Sequence, residues 1–104
     1  MRIAIVDDLV NERALLRNRL EQALNGRSVQ ADICEYANGE AFIQAAEKQR
    51  FSAAFLDIYM PGANGIDTAR ALRAFDPDCL LIFTTTSTDH ALEGFQVRAM
   101  HYLV

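Results

Sequence analysis

The segment Ala53-Ala54-Phe55-Leu56-Asp57-Ile58-Tyr59-Met60-Pro61-Gly62 sets an uncharged apolar run, Ala53 to Leu56, against one carboxylate and then a turn. A short, unbroken apolar run bounded by turn signals reads as a strand buried on both faces. Pro61-Gly62 and Asn64-Gly65 supply the turn chemistry. Beyond it Ile66, Ala69 and Leu72 recur at helical spacing until Asp76-Pro77 closes the stripe. The segment is therefore one strand, loop and helix unit with an acid at the strand end.

The rest of the chain repeats that unit. Ile3-Ala4-Ile5-Val6 is a strand, and Leu9, Leu16, Leu20 and Leu24 trace a helix burying one face before Asn25-Gly26 stops it. A second strand reads through Val29, Ala31, Ile33 and Glu35 with Tyr36, and Asn38-Gly39 leads into a short helix around Phe42, Ala45 and Ala46. On the other side, Leu80 to Phe83 is a buried strand. The polar run Thr84 to Asp89 then precedes a helix carrying Ala91, Leu92 and Phe95, and the chain finishes on the strand-like Tyr102-Leu103-Val104. Apolar strands alternating with amphipathic helices imply an α/β fold, with a parallel sheet covered on both faces. Sites in such sheets form outside the carboxyl ends of the strands, and those ends carry Asp7, Asp8, Asp57 and Thr85.

Composition narrows the function. The 104 residues, 51% hydrophobic, fit a single domain over 1–104. A net charge of -4 and a pI near 5.0 oppose direct nucleic-acid binding, which needs clustered Lys and Arg. No apolar run approaches the ~18 residues of a membrane span, and Asp7-Asp8 interrupts the first one too early for a secretory signal. A cytoplasmic location is expected. Cys34 and Cys79 read as buried free thiols without metal-ligand spacing.

Carboxylates from two neighbouring strand ends repel one another unless a cation balances them, and a hard divalent ion with oxygen ligands is the natural partner. A carboxylate so placed can attack a phosphoryl group and form an acyl phosphate. Asp57, ending the apolar strand, suits that nucleophilic role, and the Thr85 hydroxyl suits donation to a phosphoryl oxygen, with Thr84 and Thr86 as alternatives. Against these stand plainer readings: Asp7-Asp8 as helix caps, Tyr102 as a half-buried aromatic, and His90 and His101 as surface residues. Arg13, Arg17 and Arg19 read as the solvated side of the first helix.

Asp7-Asp8 after the first strand, Phe55 to Gly62 with Gly65, Thr85 and the late Tyr102 together resemble the receiver domains of two-component response regulators, over essentially the whole chain. The resemblance implies a doubly wound, flavodoxin-like, five-stranded parallel sheet of order 2-1-3-4-5 with helices on both faces. It further implies phosphorylation at Asp57 by a sensor histidine kinase. Magnesium, with manganese or calcium able to substitute, would be held by Asp8, Asp57 and the Tyr59 main-chain carbonyl, with Asp7 acting through water. Thr85 and Tyr102 would form a switch pair. Such a domain takes part in its own phosphorylation and is not a turnover enzyme.

His90 to Val104 is similar to receivers joined to LytTR-type DNA-binding domains, so any DNA contact would come through an effector domain absent from these residues. One departure matters. The family's lysine, followed by proline, would come directly after Val104, and the last helix is missing too; Lys48, the sole lysine, falls on the second helix. The domain thus reads as C-terminally truncated. An uncovered edge strand and apolar face would favour a dimer or larger self-assembly. The alternative function is a phosphorylation-independent interaction module of the same fold. A flavin-binding domain or an Asp-nucleophile phosphatase fits less well, because the first loop offers Asp7-Asp8 where an anion would be repelled.

Overall fold

The computed structural model describes residues 1–27 and 29–84 together with the backbone of 101–103. In chain order the elements are β1 (Arg2–Val6), α1 (Val10–Leu24), β2 (Asp32–Tyr36), α2 (Gly39–Lys48), β3 (Ala53–Asp57), α3 (Gly65–Arg73), β4 (Leu80–Thr84) and β5 (His101–Leu103). The strands pair in parallel in the order β2-β1-β3-β4, and β5 runs beside β4 with Tyr102 opposite Phe83. The helix expected around Ala91, Leu92 and Phe95 lies outside the described residues.

Strand residues alternate between two faces. Ala4, Val6, Ala54, Leu56, Leu81 and Phe83 point to one side, where they join Phe42 and Ala46 of α2 and Ile66, Ala69 and Leu72 of α3 in the main core. All three residues of the stripe predicted for α3 are buried. Tyr36, at the end of the outermost strand, is drawn into this core by Phe42 and Phe51, with ring centroids 5.7 and 6.1 Å away. Truncating a fully buried phenylalanine such as Phe42 or Phe83 would cost about 3–5 kcal/mol. Asn38 and Asn64 cap α2 and α3, their side chains accepting the Ala41 and Asp67 N–H groups at 2.8 and 2.9 Å.

The other face carries Ile3, Ile5, Ile33 and Glu35 in register, and α1 lies over it. Here two expectations fail. No residue of α1 is buried: Leu16, Leu20 and Leu24 are half-buried, and Leu9 is the N-cap with 56% of its surface exposed. Arg13 and Arg17 are not solvated-side residues either, because they fall on the same helical face as Leu16 and Leu20 and reach down to Glu35. Arg13 retains 16% of its side-chain exposure, whereas Arg19 is exposed as expected. The inner face of α1 is therefore half apolar and half ionic.

The second strand is also shorter than its apolar pattern suggested. β2 pairs only with β1, whose first residue Arg2 aligns with Asp32, so Val29 and Ala31 have no strand to pair with and Val29 is exposed. Both cysteines are free, as expected; Cys79 is buried and Cys34 half-buried. Burial pushes the Cys79 thiol up to about 11, which leaves it unreactive at neutral pH.

Candidate functional site

In the order β2-β1-β3-β4, the chain leaves β1 toward one edge of the sheet and β3 toward the other. A crevice opens outside the carboxyl ends of these two strands. Asp7 and Asp8 directly follow β1, and Asp57 is the last residue of β3. The three carboxylates each bring an oxygen within 4.8 Å of the others. The sequence thus identified three acids that the fold gathers into one pocket.

The pocket is built by the main chain around it. The Asp7 N–H donates to the Tyr36 carbonyl at 3.1 Å, extending the β1 and β2 pairing one residue beyond the strand. Asp7 Oδ1 accepts the Leu9 N–H at 2.9 Å, turning the chain toward α1. Neither aspartate is the α1 N-cap; that position belongs to Leu9, which makes no side-chain capping bond. Across the crevice Asp57 Oδ1 accepts the Tyr59 N–H at 3.3 Å. The loop then turns at Gly62, whose φ of 75° suits glycine, and returns through Gly65, whose N–H donates to the Ile58 carbonyl at 3.0 Å. Glu40 of α2 braces this loop by accepting the Ala63 N–H at 3.2 Å.

Burial, then the charge of Asp7, and further Asp8 and Glu12, push the Asp57 carboxyl up to about 6, although the Tyr59 N–H pulls the other way. Burial also raises Asp7, with Asp8 and Glu12 adding to the shift and the Leu9 N–H opposing it. Packed like charges of this kind suit a hard divalent cation with oxygen ligands, so Asp7, Asp8 and Asp57 could hold a metal ion.

The remaining expected site residues are only partly placed. Tyr59 sits two residues beyond Asp57 on the loop, half exposed. Thr84 is the β4 residue opposite Asp57, and Thr85 lies outside the described residues. Tyr102 is placed by its backbone in β5, while its side chain lies outside what is described. Sequence reasoning missed Arg13, Glu35 and Glu40. The signal for the first two was a glutamate inside a strand facing arginines on the helical stripe of Leu16 and Leu20.

A parallel α/β sheet with an acidic crevice at the strand-order reversal defines the class of CheY-like receivers. TrrA from Thermotoga maritima, solved in complex with Mg(2+)-BeF, matches with a TM-score of 0.84 at 28% identity, covering 99% of this chain and 84% of that one. Residues 3–104 match the response regulator receiver domain, and the chain belongs to that family. Among curated proteins it is 31% identical over 103 residues to the sensory transduction protein LytT of Bacillus subtilis, covering 99% of this chain and 41% of LytT. It is 36% identical over 106 residues to the positive alginate biosynthesis regulatory protein of Pseudomonas aeruginosa, covering 100% of this chain and 41% of that protein. The chain thus spans about two fifths of the length of these relatives. No helix of the described residues is long and apolar enough to cross a membrane.

Proposed function

We propose that this receiver accepts a phosphoryl group on Asp57 from the phosphohistidine of a sensor histidine kinase, in a magnesium-dependent reaction, within phosphorelay signalling in the cytoplasm. The observation that carries the reading is the convergence of Asp7, Asp8 and Asp57 at the β1 and β3 ends, with Asp57 terminating a buried strand. Asp8, Asp57 and the Tyr59 carbonyl would hold the ion, with Asp7 acting through water. When bound, magnesium supplies the positive charge that lets an anionic donor approach three carboxylates.

An Asp57 carboxylate oxygen then forms the new bond to phosphorus. The donor's P–N bond, or the P–O bond of a small acyl phosphate, breaks, and its electron pair leaves with the imidazole or carboxylate. Thr85 would donate its hydroxyl to a phosphoryl oxygen and, with Tyr102, relay the change to an output, which we assign to a DNA-binding domain of a longer parent protein. That reading is supported by the relatives' greater length and by the LytT match. Intact-mass analysis after treatment with acetyl phosphate and magnesium tests the proposal. Wild type gains one phosphoryl group and Asp57→Asn gains none. Equal labelling of both removes Asp57 from the role. Labelling of neither, in folded protein that binds magnesium, favours a phosphorylation-independent interaction module.

A further inference from the structure

Arg13 bonds directly to the main chain of the acidic pocket. Its Nη1 donates to the Asp7 carbonyl at 2.7 Å while its Nε donates to Glu35 Oε1 at 3.2 Å. Glu35 is in turn fixed by Arg17, whose Nη1 donates to Oε2 at 2.7 Å and whose Nη2 donates to the Ile33 carbonyl at 2.7 Å. The Asp7 carbonyl precedes the N-cap Leu9, so no α1 backbone N–H is in place to satisfy it. Asp7 is consequently pinned at both ends from β2: its N–H to the Tyr36 carbonyl, its own carbonyl to an arginine that β2 holds through Glu35.

We propose that Arg13 is a positioning residue for the acidic pocket, its fork joining the Asp7 carbonyl to Glu35 and so setting the spacing of Asp7 and Asp8 against Asp57. The inference rests on reading that pocket as a divalent-cation site. Arg13 touches neither cation nor phosphoryl group. It acts by removing the freedom of two adjacent acids that would otherwise swing apart, the work that residues behind metal ligands perform. A planar guanidinium suits this task because it serves a carbonyl and a carboxylate at once in fixed geometry.

The sign of the effect separates positioning from simple charge. Removing a cation beside an acidic pocket should tighten magnesium binding if charge alone matters, whereas loss of positioning should weaken it. Titration calorimetry with magnesium on metal-free protein, at constant ionic strength, reads the difference. Arg13→Gln is expected to bind magnesium about tenfold more weakly than wild type. Arg13→Lys, which keeps the charge and loses the fork, should also bind more weakly, and it serves if the glutamine variant does not fold. Circular dichroism and melting in chelator establish folding for each. Magnesium affinity equal to or tighter than wild type in a folded variant overturns the proposal while leaving the pocket itself intact. A folded wild type that binds no magnesium overturns the pocket reading and this one with it.

Discussion

Gly65 packs directly against the main chain of Asp57. A Cβ built on Gly65 would overlap the Asp57 carbonyl oxygen and stand 2.9 Å from the carbonyl carbon and from the Ile58 Cα. The first turn of α3 and the strand that presents the candidate phosphoacceptor are therefore in backbone contact, and no side chain fits between them. Gly65→Ala should cost about 1–3 kcal/mol through overpacking. Because the strain falls on Asp57 itself, magnesium affinity should drop along with the melting midpoint. A variant that melts like wild type and binds magnesium equally well would contradict the contact.

The pH dependence of the metal-free protein follows from Asp57. Its folded carboxyl is pushed from 3.8 up to about 6, so across that window the folded state holds a proton that the unfolded chain has lost. Stability should therefore decline as pH rises through the window, with the penalty fully present above about 6. Asp7 is shifted in the same direction and adds to the decline. In chelator, wild type minus Asp57→Asn isolates the contribution: the mutant should gain stability relative to wild type on going from about pH 5 to about pH 7.5. Magnesium should cancel that gain by relieving the repulsion in wild type. A difference that stays flat with pH would show that Asp57 titrates normally.

The joint between α2 and α3 is equally tight. A Cβ on Gly39 would run into the Thr68 hydroxyl oxygen and lie 3.2 Å from its Cβ, and that hydroxyl is buried without a hydrogen-bond partner among the described residues. Gly39→Ala should destabilise by about 1–3 kcal/mol. Adding Thr68→Ala should recover part of that loss, with a coupling of about 1 kcal/mol in a double-mutant cycle. Strictly additive midpoints in denaturant titrations would rule out the clash. Thr68→Val alone, which keeps the volume and removes the unpaired oxygen, should be neutral or stabilising.

How far the sequence carried the fold depended on which face a residue serves. β3 and α3 were readable because Ala53 to Leu56 and the Ile66, Ala69, Leu72 stripe are apolar throughout and, apart from the half-buried Phe55, buried. α1 was located but misjudged, since its inner face mixes Leu16 and Leu20 with Arg13 and Arg17, and hydrophobic spacing is blind to arginines that find a partner inside. β2 was drawn too long because apolar alternation marks which residues favour a strand, while pairing decides which ones have a neighbour. The three acids were legible from strand-end position alone. Their dependence on Tyr36, Glu35 and Glu40 was not, because those contacts join residues far apart in the chain.

Self-association should follow from the α1 side of the sheet. Phe55 of β3 and Leu80 of β4 are half-buried on that face, in register with Ile5 and Ala53, and α1 over β1 adds the half-buried Leu16 and Leu20. Each Å² of such apolar surface removed from water contributes roughly 25 cal/mol, which favours covering it with a second copy of these 104 residues. Light scattering coupled to size-exclusion chromatography should show mass rising with concentration. A constant monomer mass across the series would refute it.

The mixed inner face of α1 also sets how the domain opens. The α2 and α3 side is sealed by buried rings and aliphatic chains, indifferent to electrolyte, while α1 is tied to the sheet in part through two arginines gripping one glutamate. Ion pairs weaken as salt screens them, whereas apolar packing does not. The molecule thus has a latch on one side and a weld on the other. In hydrogen exchange the amides of α1 should become accessible well before those of β3 or α3, and added salt should hasten the first group alone. Since Asp7 hangs from the same latch through Arg13, slackening α1 would disorder the acidic crevice while the rest of the domain stays folded.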